Sequence, residues 1–380
     1  QMMYALELVK NRKCPVFKRK LFYNQYEEFI ESGCGQQADE FYTYLREHTS
    51  YNVNLIWDTL LRTANMSDIK ERMQLNYVLP NKAILSQQSK HIKVALFIHV
   101  YYLDEATKIL TYAKSMPITA DVYITTDTEQ KLNRLREIFA DLKPRSVPFL
   151  LVTNRGRDVS ALLIGLKNVA VDYDLVCFVH DKKTQYFKPY MIGESFAYHC
   201  FENVLGSQEL VENIVTTFVD NPRLGLLMPP PPIHGNYANL PGGEWKENFQ
   251  ETQRLAQKLD ITIPMSDNKS PIAPIGTIFW FRPAAFQTLF KFKFNYSDFP
   301  EEPNKNPDGT LMHVIERIYP FAAQQAGFYS GWVISEKFAQ YQLTNLNKLL
   351  GDYNRVLINK IGVDSRENYL HLIAIGNRPS

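Results

Sequence analysis

The sequence predicts the α/β class, a wound parallel sheet with helical additions at both ends, and two observations predict it. From Lys93 to Val179 apolar runs alternate with helix-period segments at intervals of roughly 25 to 30 residues, the length of a βαβ unit. In addition, a turn rich in Gly and charge, Asn154-Arg-Gly-Arg-Asp158, leads into a helix-length run. That run leads into an apolar strand ending on His180-Asp181-Lys182-Lys183. At 380 residues the chain suits one large α/β domain with additions, or two domains.

Residues 1 to about 85 read as helical. Phe41, Leu45 and His48 recur at helical spacing, and Val53, Ile56, Trp57, Leu60 and Leu61 mark a second apolar face. Ser67 and Asp68, with Glu71 three residues after Asp68, look like a helix start. Pro80-Asn81-Lys82 breaks the pattern, and the polar run 86–89 follows as a linker. Strands are expected at Val94–Val100, Asp121–Thr126, Pro148–Val152 and Leu175–Val179. Helices at Asp104–Lys114, Thr128–Phe139 and Val159–Val169 join them as right-handed crossovers.

Beyond Val179 the alternation fails. A helix begins at Gly206, and a short strand at Leu224–Met228 is stopped by Pro229 to Pro232. Ile275–Arg282 reads as another strand, and a helix runs from Asp308 toward Gly327 with Pro320 as a kink or an early stop. Leu343, Leu346, Leu349, Leu350 and Val356 give the last segment a helical pattern. The expected organisation is a helical accessory region over 1–90, the α/β domain over 91–335 and a helical extension over 336–380.

The 42 basic and 40 acidic side chains leave a net charge of +2, which gives no global attraction to nucleic acid. No apolar run reaches the roughly 18 residues of a membrane span, and no signal-peptide core opens the chain. Cys14, Cys34, Cys177 and Cys200 lack metal-ligand spacing and read as reduced thiols of a cytoplasmic protein. The opening Gln1-Met-Met-Tyr is not an initiator context and suggests a piece of a longer, multidomain chain.

Ligands of parallel α/β sheets bind beyond the carboxyl ends of strands. His180, Asp181, Lys182 and Lys183 stand at such an end, and an Asp with two lysines suits a diphosphate-bearing ligand, with or without a metal. A solvated charged loop is the plain alternative.

The alternating region resembles the nucleotide-sugar half of a GT-A glycosyltransferase, a Rossmann-like fold. More closely, the chain resembles the rhamnan synthesis protein F family of bacterial polysaccharide glycosyltransferases. The resemblance is carried by 14–22, His99-Val-Tyr-Tyr102, Asn154–Asp158, His180–Lys183, Gly276–Pro283 and Asp308–Arg317, in that order along nearly the whole chain. It implies transfer of a sugar, often L-rhamnose from dTDP-rhamnose, to a lipid-linked glycan at the cytoplasmic face of the membrane. Peripheral membrane association is part of that expectation.

Under this resemblance His99, Tyr101 and Tyr102 begin to enclose the base, or the tyrosines simply pack. Asp127 accepts a hydrogen bond from base or ribose, or caps the helix at Thr128. Arg155 and Arg157 offer forked donors to the diphosphate, and Gly156 permits close backbone approach. Asp158 orients an arginine, contacts the donor or caps a helix.

Asp181 occupies the place of the metal-binding Asp-x-Asp motif, but as a single carboxylate. Either it holds Mg²⁺ or Mn²⁺ together with the phosphates, or Lys182 or Lys183 neutralises the leaving group directly. His313 is a possible further ligand. An inverting transfer needs a general base from the acceptor side. Asp308 is the first candidate, Glu316 the second, and the cluster Asp298, Glu301 and Glu302 the third. Trp245 and Trp280 are candidate sugar platforms. A non-catalytic, glycan-binding half of a larger synthase is the rival reading.

Overall fold

A computed structural model describes residues 5–14, 16–23, 34–83, 92–183, 190–237, 242–302, 308–362, 364 and 366–368. The linker expected at 86–89 lies outside them. One eight-stranded sheet organises the chain: β1 (Asn76–Leu79), β2 (Val94–His99), β3 (Asp121–Thr126), β4 (Phe149–Leu151), β5 (Leu175–His180), β6 (Leu224–Met228), β7 (Phe279–Phe281) and β8 (Tyr329–Ser335). Their spatial order is β1-β8-β6-β7-β5-β2-β3-β4. All neighbours run parallel except β7, which is antiparallel to both β5 and β6.

β2 and β5 are apolar strands that lie side by side near the middle, paired from Val94↔Leu175 to His99↔His180. β2 is buried along its whole length and β5 over its first five residues, as strands covered on both faces must be. The chain winds from β2 out through β3 to β4, then returns to lay β5 on the other flank of β2. The winding direction therefore reverses between β2 and β5. In such sheets the position beyond the carboxyl ends of the two strands at a reversal is the usual place for a ligand.

The crossover helices form where the periodicity places them. Glu129–Ile138 buries Leu132 and Leu135, and Thr128 caps it by accepting from the Lys131 N–H at 3.3 Å. After Gly156 the third crossover begins as Arg157–Ser160, widens into a π-helical stretch over Ala161–Leu166 and ends as Lys167–Ala170. Such widenings recur next to functional sites.

Several expectations need correction. The accessory region is not helical throughout: Asn76–Leu79 forms β1, which joins the main sheet beside β8. β8 itself, Tyr-Ser-Gly-Trp-Val-Ile-Ser, lies where helix was expected to end and no strand was foreseen. The helix expected to start at Ser67 starts instead at Met66, with Asn65 accepting from the Ser67 N–H at 2.9 Å. The apolar run from Ile275 is strand only over Phe279–Phe281. Before it, Gly276 (φ 94°) and Thr277 (φ 55°) form a left-handed turn. Leu311–Gln325 continues through Pro320 rather than stopping there.

The last helix, Glu336–Ile361, touches the body chiefly near its start and exposes Leu343, Leu346, Leu350, Tyr353 and Val356. Among the described residues no helix is long and apolar enough to cross a membrane.

Candidate functional site

Asp181 follows β5 directly, and its own N–H donates to the His99 carbonyl at 3.1 Å, tying the ends of β5 and β2 together. Its side chain is 7% exposed. Oδ2 accepts from the Tyr101 N–H at 2.8 Å and from the Tyr102 N–H. Oδ1 takes no hydrogen bond among the described residues. Burial pushes the carboxyl up to about 6, with nearby Asp158 adding to the shift; the two N–H donors and His180 oppose it. The result is a desolvated carboxylate, anchored through one oxygen, at the reversal of the sheet.

His180 braces the same corner. Its Nδ1 lies 2.7 Å from the Asp181 carbonyl oxygen and its Nε2 2.9 Å from the Gly276 carbonyl oxygen, so the ring links the end of β5 to the turn before β7. Asp158 Oδ2 stands 3.9 Å from His180 Nε2 and is buried without a hydrogen-bond partner among the described residues. His99 is buried at the end of β2, and burial lowers its pKa to about 4, leaving the ring neutral. The Thr125 hydroxyl donates to the Ile98 carbonyl, so it must accept from His99 Nδ1 (3.0 Å), which fixes the Nδ1–H tautomer.

The two lysines after Asp181 separate in role. Lys183 pairs with Asp104 and lies 5.5 Å from the Tyr102 ring centre. Lys182 has no carboxylate partner among the described residues. Its Nζ sits 4.0 Å over the Phe196 ring and close against Gly276, where a Cβ would come within 2.6 Å of it.

Glu316 explains the turn that Lys182 packs on. Its Oε2 accepts from the Gly276 N–H at 2.6 Å and the Thr277 hydroxyl at 3.1 Å, while Oε1 takes Arg317 Nη1 at 2.5 Å. Both side chains are buried and Arg317 also donates to the Glu244 and His313 carbonyls. A carboxylate so committed holds a loop. Glu316, the second candidate base, is thus engaged through both carboxylate oxygens.

Asp308 was expected to begin the late helix, but Thr310 is its N-cap. Asp308 instead accepts from Asn248 Nδ2 at 2.9 Å, with His313 Nδ1 at 3.8 Å and Lys246 Nζ at 3.9 Å. Partial burial raises its pKa, but the Asn248 amide, Arg317, the Gly309 N–H and His313 outweigh this and hold the carboxyl below the ordinary range. It stays ionised and part-exposed. His313 Nδ1 lies 2.8 Å from the Thr310 hydroxyl.

Other expected site residues are occupied elsewhere. Arg155 donates to the carbonyls of Phe299 (2.7 Å) and Ser297 (3.2 Å) and lies 3.7 Å from Glu301. Arg157, with φ of 52°, grips Glu302 through Nε at 2.7 Å and Nη2 at 3.3 Å. Gly156 lets Phe299 approach, since a Cβ there would stand 2.6 Å from that ring. The Asn154–Asp158 turn thus clasps the 297–302 loop, and its arginines are not open forks awaiting phosphate. Asp298 accepts from the Asn295 N–H in a local capping box.

Asp127 pairs with Lys131 at 2.7 Å, and Lys131 Nζ also lies 3.8 Å over the Tyr101 ring. Trp280 is fully buried and donates to the Val204 carbonyl at 3.0 Å. Trp245 is buried against Phe321 and donates to the Lys269 carbonyl at 2.7 Å. Neither indole offers a face to a sugar, and both platform expectations are corrected.

Sequence reasoning missed Lys131, Asn248 and Lys246. Lys131 had a usable signal, its position in the first turn of a helix four residues after Asp127. Asn248 had none, because its bond to Asp308 spans 60 residues. Among the described residues no group of three or more His, Cys, Asp or Glu side chains is placed to hold a metal ion.

A family model described as rhamnan synthesis protein F matches residues 1–328. No curated protein matches the chain. The chain belongs to the rhamnan synthesis protein F family.

Proposed function

We propose that this family member is an inverting, GT-A-like glycosyltransferase. In this reading it moves L-rhamnose from dTDP-rhamnose to a lipid-linked glycan at the cytoplasmic face of the membrane. The observation that carries the reading is the corner at the sheet reversal. There a buried carboxylate with one uncommitted oxygen, Asp181, is followed by a cation with no ion-pair partner among the described residues, Lys182. The parallel β4-β3-β2-β5 half and the single antiparallel strand after it support the GT-A-like assignment. In domain terms, residues 91–335 form the catalytic unit, 1–90 the accessory region and 336–380 the extension.

The donor lies over the ends of β2 and β5, with Tyr101 and the Asp127–Lys131 pair beside the nucleoside. Asp181 Oδ1 orients the donor, and Lys182 faces the diphosphate. Asp308 accepts the proton of the acceptor hydroxyl as that oxygen attacks the anomeric carbon. The bond from that carbon to the diphosphate oxygen breaks, and the leaving group keeps the electron pair, balanced by the Lys182 ammonium. One carboxylate neighbours Asp181, that of Asp158, whose Oδ2 has no hydrogen-bond partner among the described residues, and a lysine lies on the flank; a divalent metal, if bound, would be held by these two carboxylates together with the diphosphate.

Asp308→Asn tests the assignment of the base. The substitution preserves size and keeps an oxygen for the Asn248 amide. Transfer should fall roughly 10²- to 10⁴-fold, the usual contribution of general-base catalysis, while donor affinity stays unchanged. Undiminished transfer would exclude Asp308 as the base. Loss of donor binding would place it in the nucleotide site instead.

A further inference from the structure

A second concave site lies at the opposite end of the sheet. A cavity of about 340 Å³ opens between the accessory helices Gln37–His48 and Asn54–Thr63 and the amino ends of β1 and β8. Its volume suits a ligand of one or two sugar rings. Tyr42, Trp57, Tyr77 and Tyr329 form its aromatic wall, and Asp39 and Arg46 supply charge. Trp57 stacks on Tyr329 with ring centres 4.4 Å apart.

The polar groups of this wall are not all spent on one another. Trp57 Nε1 donates to the Tyr42 hydroxyl oxygen at 2.8 Å, so the Tyr42 O–H proton remains to be given. The Tyr77 and Tyr329 hydroxyls share one hydrogen bond of 3.0 Å, which uses one proton of two. The Asp39 carboxylate is half-buried, lifted by desolvation, and has no hydrogen bond or ion pair among the described residues. Arg46 stands 5.9 Å over the Tyr42 ring. Trp57 and Tyr329 are buried behind the wall, so what the cavity presents is the part-exposed Tyr42 with its unspent O–H and the Asp39 carboxylate, a donor and an acceptor that match a neutral sugar with vicinal hydroxyls. A phosphate matches them less well, because the two arginines of the lining, Arg46 and Arg223, are already paired with Glu47 and Asp58.

We propose that this cavity is a glycan-anchoring subsite for sugar units already built into the polymer. The identity of those sugars rests on the transferase reading above. The position excludes a role in holding the donor. Tyr77 and Tyr329 lie at the amino ends of their strands, whereas Asp181 follows the end of a strand running the same way, three strands across the sheet from β8 and four from β1. At about 4.8 Å per strand and 3.3 Å per residue, the two sites are on the order of 25 Å apart. Only an acceptor several sugars long can occupy both.

The test titrates a rhamnose hexasaccharide into the whole protein, without donor, and reads calorimetric heat. Asp39→Asn and Tyr42→Phe keep the shape of the wall, and a thermal melt verifies that each variant is folded. Binding by the unaltered protein, at least tenfold weakened in both variants and unchanged in Asp181→Asn, is the expected result. Transfer to a monosaccharide acceptor should be unchanged in Asp39→Asn and Tyr42→Phe. Equal binding by the unaltered protein and the two cavity variants, or no binding at all, would overturn the proposal. So would binding lost in Asp181→Asn alone. Transferase activity with no oligosaccharide binding would sink the subsite and spare the transferase. Oligosaccharide binding at this cavity with no sugar transfer would do the reverse.

Discussion

Replacing Asp181 with Asn should make the protein more stable and inactive. The carboxyl is desolvated enough to lift its pKa from 3.8 to about 6, so the folded state holds its proton more tightly than the unfolded chain does. The sign follows from linkage. Below pH 3.8 the group is protonated in both states and costs nothing. As pH rises from 3.8 to 6 the unfolded chain ionises first, and folding stability falls. Above pH 6 the full cost is present, roughly 3 kcal/mol at 1.36 kcal/mol per pKa unit. Asn resembles the protonated acid, and its amide oxygen still accepts from the Tyr101 and Tyr102 N–H groups. Urea unfolding of the two proteins from pH 4.5 to 7.5 measures the difference. The variant should be more stable at pH 7.5, by an amount on the order of a few kcal/mol, and the difference should shrink toward pH 4.5. For the unaltered protein, kcat/KM should drop as pH falls through about 6. A variant of equal or lower stability at pH 7.5, or a difference that ignores pH, would refute the reasoning that burial dominates this carboxylate.

Two further substitutions probe the scaffold around the site. Gly156→Ala places a Cβ 2.6 Å from the Phe299 ring at a φ of 88°, so it should cost about 2 kcal/mol or more and lower the melting temperature; an unchanged melt would mean the turn does not need glycine. Glu316→Gln leaves the buried Arg317 guanidinium without its carboxylate and should cost about 3 kcal/mol in chemical denaturation; a loss below about 1 kcal/mol would show that the pair is not holding the Gly276 turn.

The parallel half of the fold was legible because its signals are local. β2, β3 and β5 are short apolar runs bounded by turns, and the crossover helices carry their own apolar stripes. β1 and β8 were hidden because Asn-Tyr-Val-Leu and Tyr-Ser-Gly-Trp-Val-Ile-Ser lack strong alternation, and only pairing with each other and with β6 makes them strands. The site divides along the same line. The position of Asp181 directly after a buried strand was legible. Arg155 and Arg157 were misread because their partners, Phe299 and Glu302, lie more than 140 residues away. A charged turn looks the same in sequence whether its arginines face a phosphate or another loop. Trp280 was misassigned for a related reason: its burial in β7 depends on β5 and β6, one on each side.

The central claim is that the corner formed by the ends of β2 and β5 binds a diphosphate-linked sugar through Lys182. Calorimetric titration of dTDP-rhamnose into the unaltered protein and into Lys182→Met measures it most directly. Met keeps the packing against Phe196 and Gly276 and removes only the charge. The expected outcome is saturable binding by the unaltered protein, at least tenfold weaker in Lys182→Met. Identical affinity in the two proteins, or no binding by either, would contradict the assignment of this corner as the donor site.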